Sequence, residues 1–310
     1  MFEERRLMKR LLPCFVGLAL IFGSVGPVDS LTIVLDFNDP LQAITGDIFG
    51  NTVSTFDVAA YGFAAGDFNV VTADILSEVE NDYYGIPTVS ANALSSIPDG
   101  KELDIDFEIG DSGTAPANGD TEFYYMQLGS GVFGPHIGSL GVAGLSVVRN
   151  SAGSGPNSGV TVGATVGSIF TDNINSMGGV GTALTSGNLS ATRHAISGTT
   201  SHEIGHALSL LHLNKAGSVT HSGVPPLMGT GAIDLPNIDR ISNREFAFSG
   251  FNDQEGGAAQ FHVSQLVAAV GLRDVAVENT IPEPSAILLF SISILAAFGY
   301  GWRRRNHLTK

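Results

Sequence analysis

Two histidines and a glutamate lie within five consecutive residues of the chain, in the segment His202-Glu203-Ile204-Gly205-His206. Residues four apart share one face of a helix, so His202 and His206 project side by side and can bind one metal ion. Glu203 is rotated by about a quarter-turn, which directs its carboxylate towards a water at the open coordination position of the metal. The pattern predicts a catalytic zinc site in which Glu203 takes a proton from a zinc-bound water.

A further histidine, His212, follows His206 by six residues. The order His-Glu-x-x-His-x-x-Ser-x-x-His resembles the zinc signature of the metzincin metallopeptidases, in which a glycine stands at the position of Ser209. The resemblance implies three zinc ligands and one general base: His202, His206, His212 and Glu203.

The segment Pro226-Leu227-Met228-Gly229 looks like the methionine turn of the same family. The resemblance gives Met228 the role of an apolar floor under the metal rather than that of a ligand. Ser209 is the main departure from the family pattern, because the chain must leave the helix there to bring His212 back. Serine in the required left-handed conformation costs about 1–2 kcal/mol.

Other ligand sets remain open from the sequence. Glu245 could serve as a third ligand from a later helix, as in thermolysin-like enzymes, and His221 is another possible donor. Three further histidines have no partner at ligand spacing and are expected to be ordinary polar or core residues: His136, His194 and His262. A calcium site is conceivable at four acidic residues, although strand alternation explains them equally well: Asp104, Asp106, Glu108 and Asp111.

The apolar patterns between residues 31 and 275 predict one α+β domain, in which helices pack on a mixed, twisted sheet. Helices are expected at Asp67–Tyr84, at Ser190–Leu211 with the zinc ligands, and at Gly257–Leu272 near the end. The expected strands are Leu31–Phe37, Leu103–Ile109, Glu122–Leu128, Gly141–Val148 and Val160–Phe170. This order suits a metzincin-like catalytic domain.

The composition excludes one class of partner. Of the 310 residues, 15 are basic and 30 acidic, and only 7 basic residues stand against 26 acidic ones between Leu31 and Pro282. Such a domain repels a phosphate backbone, so we expect no nucleic-acid partner.

Residues 1–30 are typical of a secretory signal peptide, with a basic segment at Arg5–Arg10 followed by the apolar stretch Leu11–Gly23. Cleavage by signal peptidase would remove Cys14, which is the single cysteine of the chain. The exported protein would then have no disulfide, and its stability would depend on packing or on a bound metal.

Residues 276–310 carry a second targeting pattern. Ile281-Pro282-Glu283-Pro284-Ser285 precedes the apolar run Ala286–Trp302, which Arg303–Arg305 follow. This order predicts a short transmembrane helix with a basic cytoplasmic end, and it resembles the PEP-CTERM sorting signal of Gram-negative bacteria. The resemblance implies membrane anchoring, then processing by an exosortase and delivery to the cell surface or extracellular matrix.

The sequence therefore favours an exported zinc-dependent metalloendopeptidase that acts on protein or peptide substrates. The alternative is a non-catalytic, zinc-stabilised protein of the cell surface or the exopolysaccharide matrix. A zinc hydrolase with a non-peptide substrate is a third possibility. The presence of Glu203 argues for catalysis, because a structural zinc site needs no base and closes its fourth position.

Overall fold

The computed structural model describes residues 30–37, 52–86, 97–133, 138–144, 162–213, 220, 222–230, 235–247, 250–251 and 259–275. The described residues up to Arg273 belong to one compact unit. The predicted signal peptide, apart from Ser30, and the predicted sorting signal at 276–310 lie outside the described residues. Within the described part of the chain, no helix combines the length and apolar character needed to cross a membrane.

A mixed sheet forms the centre of the fold, in the order β4-β1-β5-β7-β6, and β2 pairs with β5 outside this path. The strands β1, β4, β5 and β7 are parallel, whereas β6 is antiparallel to β7 at the edge. Register is fixed by pairs such as Ile33 with Phe107 and with Tyr124. The bounds are β1 (Leu31–Asp36), β2 (Thr52–Ser54), β3 (Lys101–Leu103), β4 (Ile105–Ile109), β5 (Glu122–Phe133), β6 (Gly141–Ala143) and β7 (Thr165–Phe170).

Two long helices pack against each other and against this sheet. The first, α1 (Phe68–Tyr84), buries Val71, Ile75, Val79 and Tyr83, which are spaced by four residues and therefore share one face. The second, α4 (Leu189–Ala207), is buried along nearly its whole C-terminal half. Tyr83 joins the two helices, because its hydroxyl donates a hydrogen bond of 3.0 Å to the carbonyl of Ser201.

Shorter elements complete the described fold. Two 3-10 turns precede α1, and small sheets pair β3 with β10 and β8 with β9. Their bounds, with those of the short helices, are Val58–Tyr61 and Ala65–Asp67 for the 3-10 turns, α2 (Thr171–Asn175), α3 (Gly181–Thr185), α5 (Asn237–Arg240), β8 (Gly250–Phe251), β9 (Ala259–Gln260), α6 (His262–Val270) and β10 (Leu272–Asp274).

The predicted mixed α+β architecture is confirmed, and several predicted boundaries are corrected. The expected strand at 103–109 is divided at Asp104 into β3 and β4. The last helix is shorter than predicted, since Ala259–Gln260 and Leu272 belong to strands. The helix expected to run to Leu211 ends at Ala207, and this early end shapes the site described next.

Candidate metal centre

The C-terminal end of α4 is closed by a Schellman motif. The N–H of Leu210 donates to the carbonyl of Gly205 at 2.9 Å, and the N–H of Ser209 donates to the carbonyl of His206 at 2.9 Å. Ser209 has φ 73°, and among the described residues it is the one non-glycine residue with a positive φ. The chain therefore reverses at the position where the family signature has glycine.

This reversal brings the three predicted histidine ligands together. The Nε2 atoms of His202 and His206 are 3.1 Å apart, those of His206 and His212 2.9 Å, and those of His202 and His212 3.2 Å. Among the described residues, these three form the group of ligand-type side chains that could hold a metal ion.

The hydrogen bonds of the other ring nitrogens settle two of the tautomers. Nδ1 of His202 lies 2.9 Å from the carbonyl oxygen of Leu227, and Nδ1 of His206 lies 2.8 Å from that of Leu210. A carbonyl oxygen can only accept, so each Nδ1 carries the proton and each Nε2 presents a lone pair. Burial, followed by the neighbouring His206 and His212, holds the pKa of His202 well below its usual range, so this imidazole is neutral at pH 7.

The donor set fits a small divalent cation. Three nitrogens at about 2.0–2.1 Å from a tetrahedral zinc ion would lie about 3.3 Å apart, which is close to the observed 2.9–3.2 Å. Without a cation, the Nε2 lone pairs of His202 and His206 would face each other. A proton on Nε2 of His212 cannot satisfy all three contacts between the Nε2 atoms. The carbonyl partners at Nδ1 are those that orient metal-binding histidines in general.

The segment around Met228 packs against α4 near His202. The N–H of Gly229 donates to the carbonyl of Pro226 at 3.0 Å and closes a turn. Met228 is fully buried, and a Cβ at Gly205 would lie 2.7 Å from its Sδ atom, so the thioether packs on α4 at Gly205. The same turn supplies the Leu227 carbonyl that orients His202.

Glu203 is buried beside the histidines, against the edge strand β6. Burial raises its pKa to about 8, while a hydrogen bond from the N–H of Ala143 and the positive charge of Arg240 act in the opposite direction. A Cβ at Gly141 would lie 2.7 Å from Cγ of Glu203 and 3.0 Å from its Oε1. The carboxylate is thus held between β6 and α4.

A cavity of about 360 Å³ opens over this group. One wall is formed by residues 139–143, which include β6, and the opposite wall by α4 and by the segments that follow it. The side chains contributed by the second wall are Thr199, His202, Glu203, His206, His212, Thr230, Arg240 and Arg244.

Three residues of the site have no counterpart in the sequence-based prediction. Gln260 accepts a hydrogen bond from the N–H of Leu211 at 2.7 Å and donates one to the carbonyl of Ser209 at 3.1 Å, so it holds the turn that precedes His212. Arg240 and Arg244 line the cavity. The sequence has no motif that would have marked any of the three.

Of the two alternative ligands, Glu245 stands apart from the histidine group. Glu245 accepts a hydrogen bond from the N–H of Ser222 at 3.0 Å and is not among the converging side chains. His194 pairs with Glu78 at 3.2 Å, and His262 is fully buried at the start of α6. His221 and His136 lie outside the described residues.

Two of the four acidic residues that could bind calcium, Asp106 and Glu108, contact other partners in the fold. Asp106 pairs with Arg273 at 2.7 Å, and Glu108 accepts the N–H of Ala117 at 2.9 Å. Within the described ranges, the acidic residues form no group that converges on a cation site.

Comparisons with known proteins give no relative for this chain: no model of a protein family matches it, and no curated protein is similar to it.

Proposed function

We propose that the chain is a zinc-dependent metalloendopeptidase of the metzincin type, with His202, His206 and His212 as ligands and Glu203 as general base. The observation that carries the proposal is the convergence of three Nε2 atoms within 2.9–3.2 Å next to a buried carboxylate, at the base of an open cavity. Three histidines leave a fourth coordination position for water or substrate, as in catalytic zinc sites.

Hydrolysis would use two kinds of residue, the histidines that hold the metal and the glutamate that transfers the proton. His202 and His206 are held by the carbonyls of Leu227 and Leu210, which keep both Nε2 atoms aimed at one point. Zinc bound there would lower the pKa of a water molecule and polarise the substrate carbonyl. A cation held by the histidines would lower the pKa of Glu203 from the value of about 8 that burial gives it. Its ionised carboxylate would then accept the proton of that water and return it to the leaving amine, so that the proton is conserved over the reaction.

The wall opposite α4 favours a peptide over other substrates. Within the described residues, β6 pairs only with β7, so its other side has no strand partner, and Gly141, Val142 and Ala143 line the cavity. The N–H of Ala143 on this side already donates to Glu203, and an extended peptide can pair with the remaining main-chain groups of the edge, which would lay the scissile bond across the histidine group.

The proposal places this activity outside the cytoplasm. The basic and apolar segment at 1–30 supports export, and the Pro-Glu-Pro, apolar and arginine segments at 276–310 support anchoring followed by exosortase processing. The protein would act at the cell surface or in the extracellular matrix of a Gram-negative bacterium.

The decisive experiment compares the purified wild-type protein with Glu203→Gln, using casein and gelatin cleavage together with metal analysis. We expect one zinc per chain in both proteins and a loss of at least about 100-fold in cleavage by the variant, because general base catalysis contributes about 10²–10⁴. Glu245→Gln is the matched control, since Glu245 lies outside the histidine group.

Each of the other outcomes has a distinct meaning. Equal cleavage by wild type and Glu203→Gln would reject the general base. Zinc in both proteins with cleavage by neither would support the non-catalytic surface or matrix protein. Wild-type protein without zinc would reject the ligand set.

A further inference from the structure

Two of the few positive charges in the domain line the cavity beside Glu203. Only 7 basic residues lie between Leu31 and Pro282, and two of them, Arg240 and Arg244, reach this wall. The surrounding domain is strongly acidic, so general surface charge does not account for two guanidinium groups in one small cavity. Their position calls for a local, negatively charged partner.

Arg244 is buried without adequate partners. Its side chain is 3% exposed, and its Nε and Nη1 atoms have no hydrogen-bond partner among the described residues. Its Nη2 atom makes one long contact of 3.5 Å, to the carbonyl of His194. A buried guanidinium normally has its donors satisfied, so these two unpaired N–H groups show that the described part of the fold does not neutralise Arg244.

The backbone of α4 makes room for this side chain. A Cβ at Gly198 would overlap Nη2 of Arg244, so the guanidinium lies directly on the helix where the side chain is absent. Gly198 precedes His202 by four residues, which corresponds to about 6 Å along the helix axis. One or two residues of an extended peptide span that distance, at about 3.3–3.6 Å per residue.

Both arginines keep their positive charge at pH 7, although burial lowers the pKa of each. Burial and the neighbouring Arg240 lower the pKa of Arg244 to about 10, while Asp82 and Asp239 act in the opposite direction. Burial also lowers the pKa of Arg240, and Glu203 opposes this. Within the described residues, neither guanidinium has a carboxylate inside ion-pair distance.

We infer that Arg240 and Arg244 form a receptor for a substrate carboxylate, so that the site cleaves peptide bonds one or two residues away from an acidic group. This inference rests on the proposed peptidase function. A carboxylate binds a guanidinium through two parallel hydrogen bonds, and both Arg240 and Arg244 line the cavity with no described carboxylate inside ion-pair distance. The acidic group is an Asp or Glu side chain, or the C-terminal carboxylate of the substrate.

The test uses matched fluorogenic peptides with blocked ends that differ only by Glu or Gln, placed one or two residues from the scissile bond. We expect the wild-type protein to prefer Glu over Gln by at least tenfold in kcat/KM. A neutral peptide with a free C-terminal carboxylate, compared with its amide, distinguishes a chain terminus from an acidic side chain. A tenfold preference in either comparison supports the receptor.

The variants assign the preference to the arginines. Arg240→Gln should reduce the Glu/Gln ratio to within about threefold of one, and Arg240→Lys should give an intermediate ratio, because lysine keeps the charge but not the planar fork. Arg273→Gln is the control, since Arg273 pairs with Glu102 and Asp106 instead of lining the cavity, and it should keep the wild-type ratio. The ratio is measured within each variant, so a change in overall rate does not affect it.

A binding measurement decides the inference independently of catalysis. The Glu and Gln peptides are titrated calorimetrically into the Glu203→Gln protein, where at least tenfold tighter binding of the Glu peptide is expected. The peptide with a free C-terminal carboxylate and its amide are titrated in the same way. Equal binding within both pairs of peptides, or a preference that Arg240→Gln leaves intact, would overturn the receptor. If the wild type cleaves both members of each pair of peptides equally, the receptor is rejected while the peptidase function stands.

Discussion

Ser209 determines where His212 lies. With φ 73°, Ser209 turns the chain at the end of α4 and carries His212 back until its Nε2 atom is 2.9 Å from that of His206. The turn is hydrogen-bonded from both sides, by the carbonyl groups of α4 and by the side chain of Gln260. The convergence of the three histidines thus depends on one unfavourable backbone conformation that its surroundings hold in place.

Ser209→Gly is expected to stabilise the fold. The left-handed conformation costs a non-glycine residue about 1–2 kcal/mol, and glycine removes this cost. Glycine also loses more conformational freedom on folding, which offsets about 0.5–1 kcal/mol of the gain in stability. We therefore expect the free energy of unfolding to rise by about 0.5–1 kcal/mol, measured by urea denaturation of the metal-free protein.

Ser176→Gly is the matched control for this change. Ser176 also follows a helix, α2, but has φ −86°, so glycine relieves no strain there and should lower the stability. If both substitutions destabilised the protein equally, Ser209 would not be strained in solution.

Gln260→Leu is expected to weaken metal binding. The substitution removes both hydrogen bonds that hold the backbone of Ser209 and Leu211, so His212 becomes less fixed. Loss of a group that orients ligands typically lowers metal affinity by about 10–100-fold. Competition with a chromophoric zinc chelator measures this affinity, and Gln265→Leu on the neighbouring helix α6 serves as the control. Unchanged affinity in Gln260→Leu would mean that the turn needs no support from outside.

Glu78 links α1 to α4, and its ionisation should make the stability depend on pH. A hydrogen bond with His194, and to a smaller extent the charges of His194 and Arg193, lower the pKa of Glu78 against the opposing effect of burial. The folded state therefore binds a proton less tightly than the unfolded state. The ionised carboxylate stabilises the fold above the unfolded pKa of about 4.3, and this contribution is lost as the pH falls through the lowered folded value.

The measurement compares wild type with Glu78→Gln in denaturant titrations between pH 7 and pH 3. We expect the wild type to be more stable at pH 7, with the difference in stability shrinking as the pH falls below the unfolded pKa of about 4.3 and through the lowered folded value. Glu80→Gln on the same helix should instead be more stable than the wild type at pH 7, because burial and the charge of Asp106 raise the pKa of Glu80 and the ionised form is disfavoured in the fold. If the difference in the free energy of unfolding between wild type and Glu78→Gln stayed constant over this pH range, the ionisation of Glu78 would not contribute to stability.

The parts of the fold with strong local patterns could be predicted from the sequence. The β-branched run at Leu31–Asp36 forms a fully buried strand, and the four-residue spacing from Val71 to Tyr83 forms the inner face of α1. The three histidines were also predicted as one group, since their spacing matches a known signature, and the structure brings them together.

The remainder depends on contacts between distant segments. The helix was expected to continue through the apolar residues Leu208, Leu210 and Leu211, but it ends at Ala207, where a Schellman motif and Gln260 compete with helical hydrogen bonds. Gln260 lies 51 residues beyond Ser209, and no periodic pattern connects them. Arg244 likewise reaches Gly198 only after the chain folds back over α4.

The contact between Gly141 and Glu203 should control catalysis without affecting the metal. In Gly141→Ala the new Cβ would lie 2.7 Å from Cγ of Glu203, so the carboxylate would have to move away from its place beside the histidines. We expect peptide cleavage to fall by more than about tenfold, because a displaced base loses part of its contribution of about 10²–10⁴. Zinc content should stay at the wild-type level, since no histidine contacts this position as closely.

Both quantities are measured on the same preparations, as kcat/KM with a neutral peptide and as metal per chain. Gly178→Ala is the control, because no atom lies within 4 Å of a Cβ there, and it should keep the wild-type activity and zinc content. Full activity in Gly141→Ala would show that β6 does not set the position of the carboxylate. Loss of zinc together with activity would show instead that the edge strand supports the histidines, and the separation of base from ligands argued above would then be wrong.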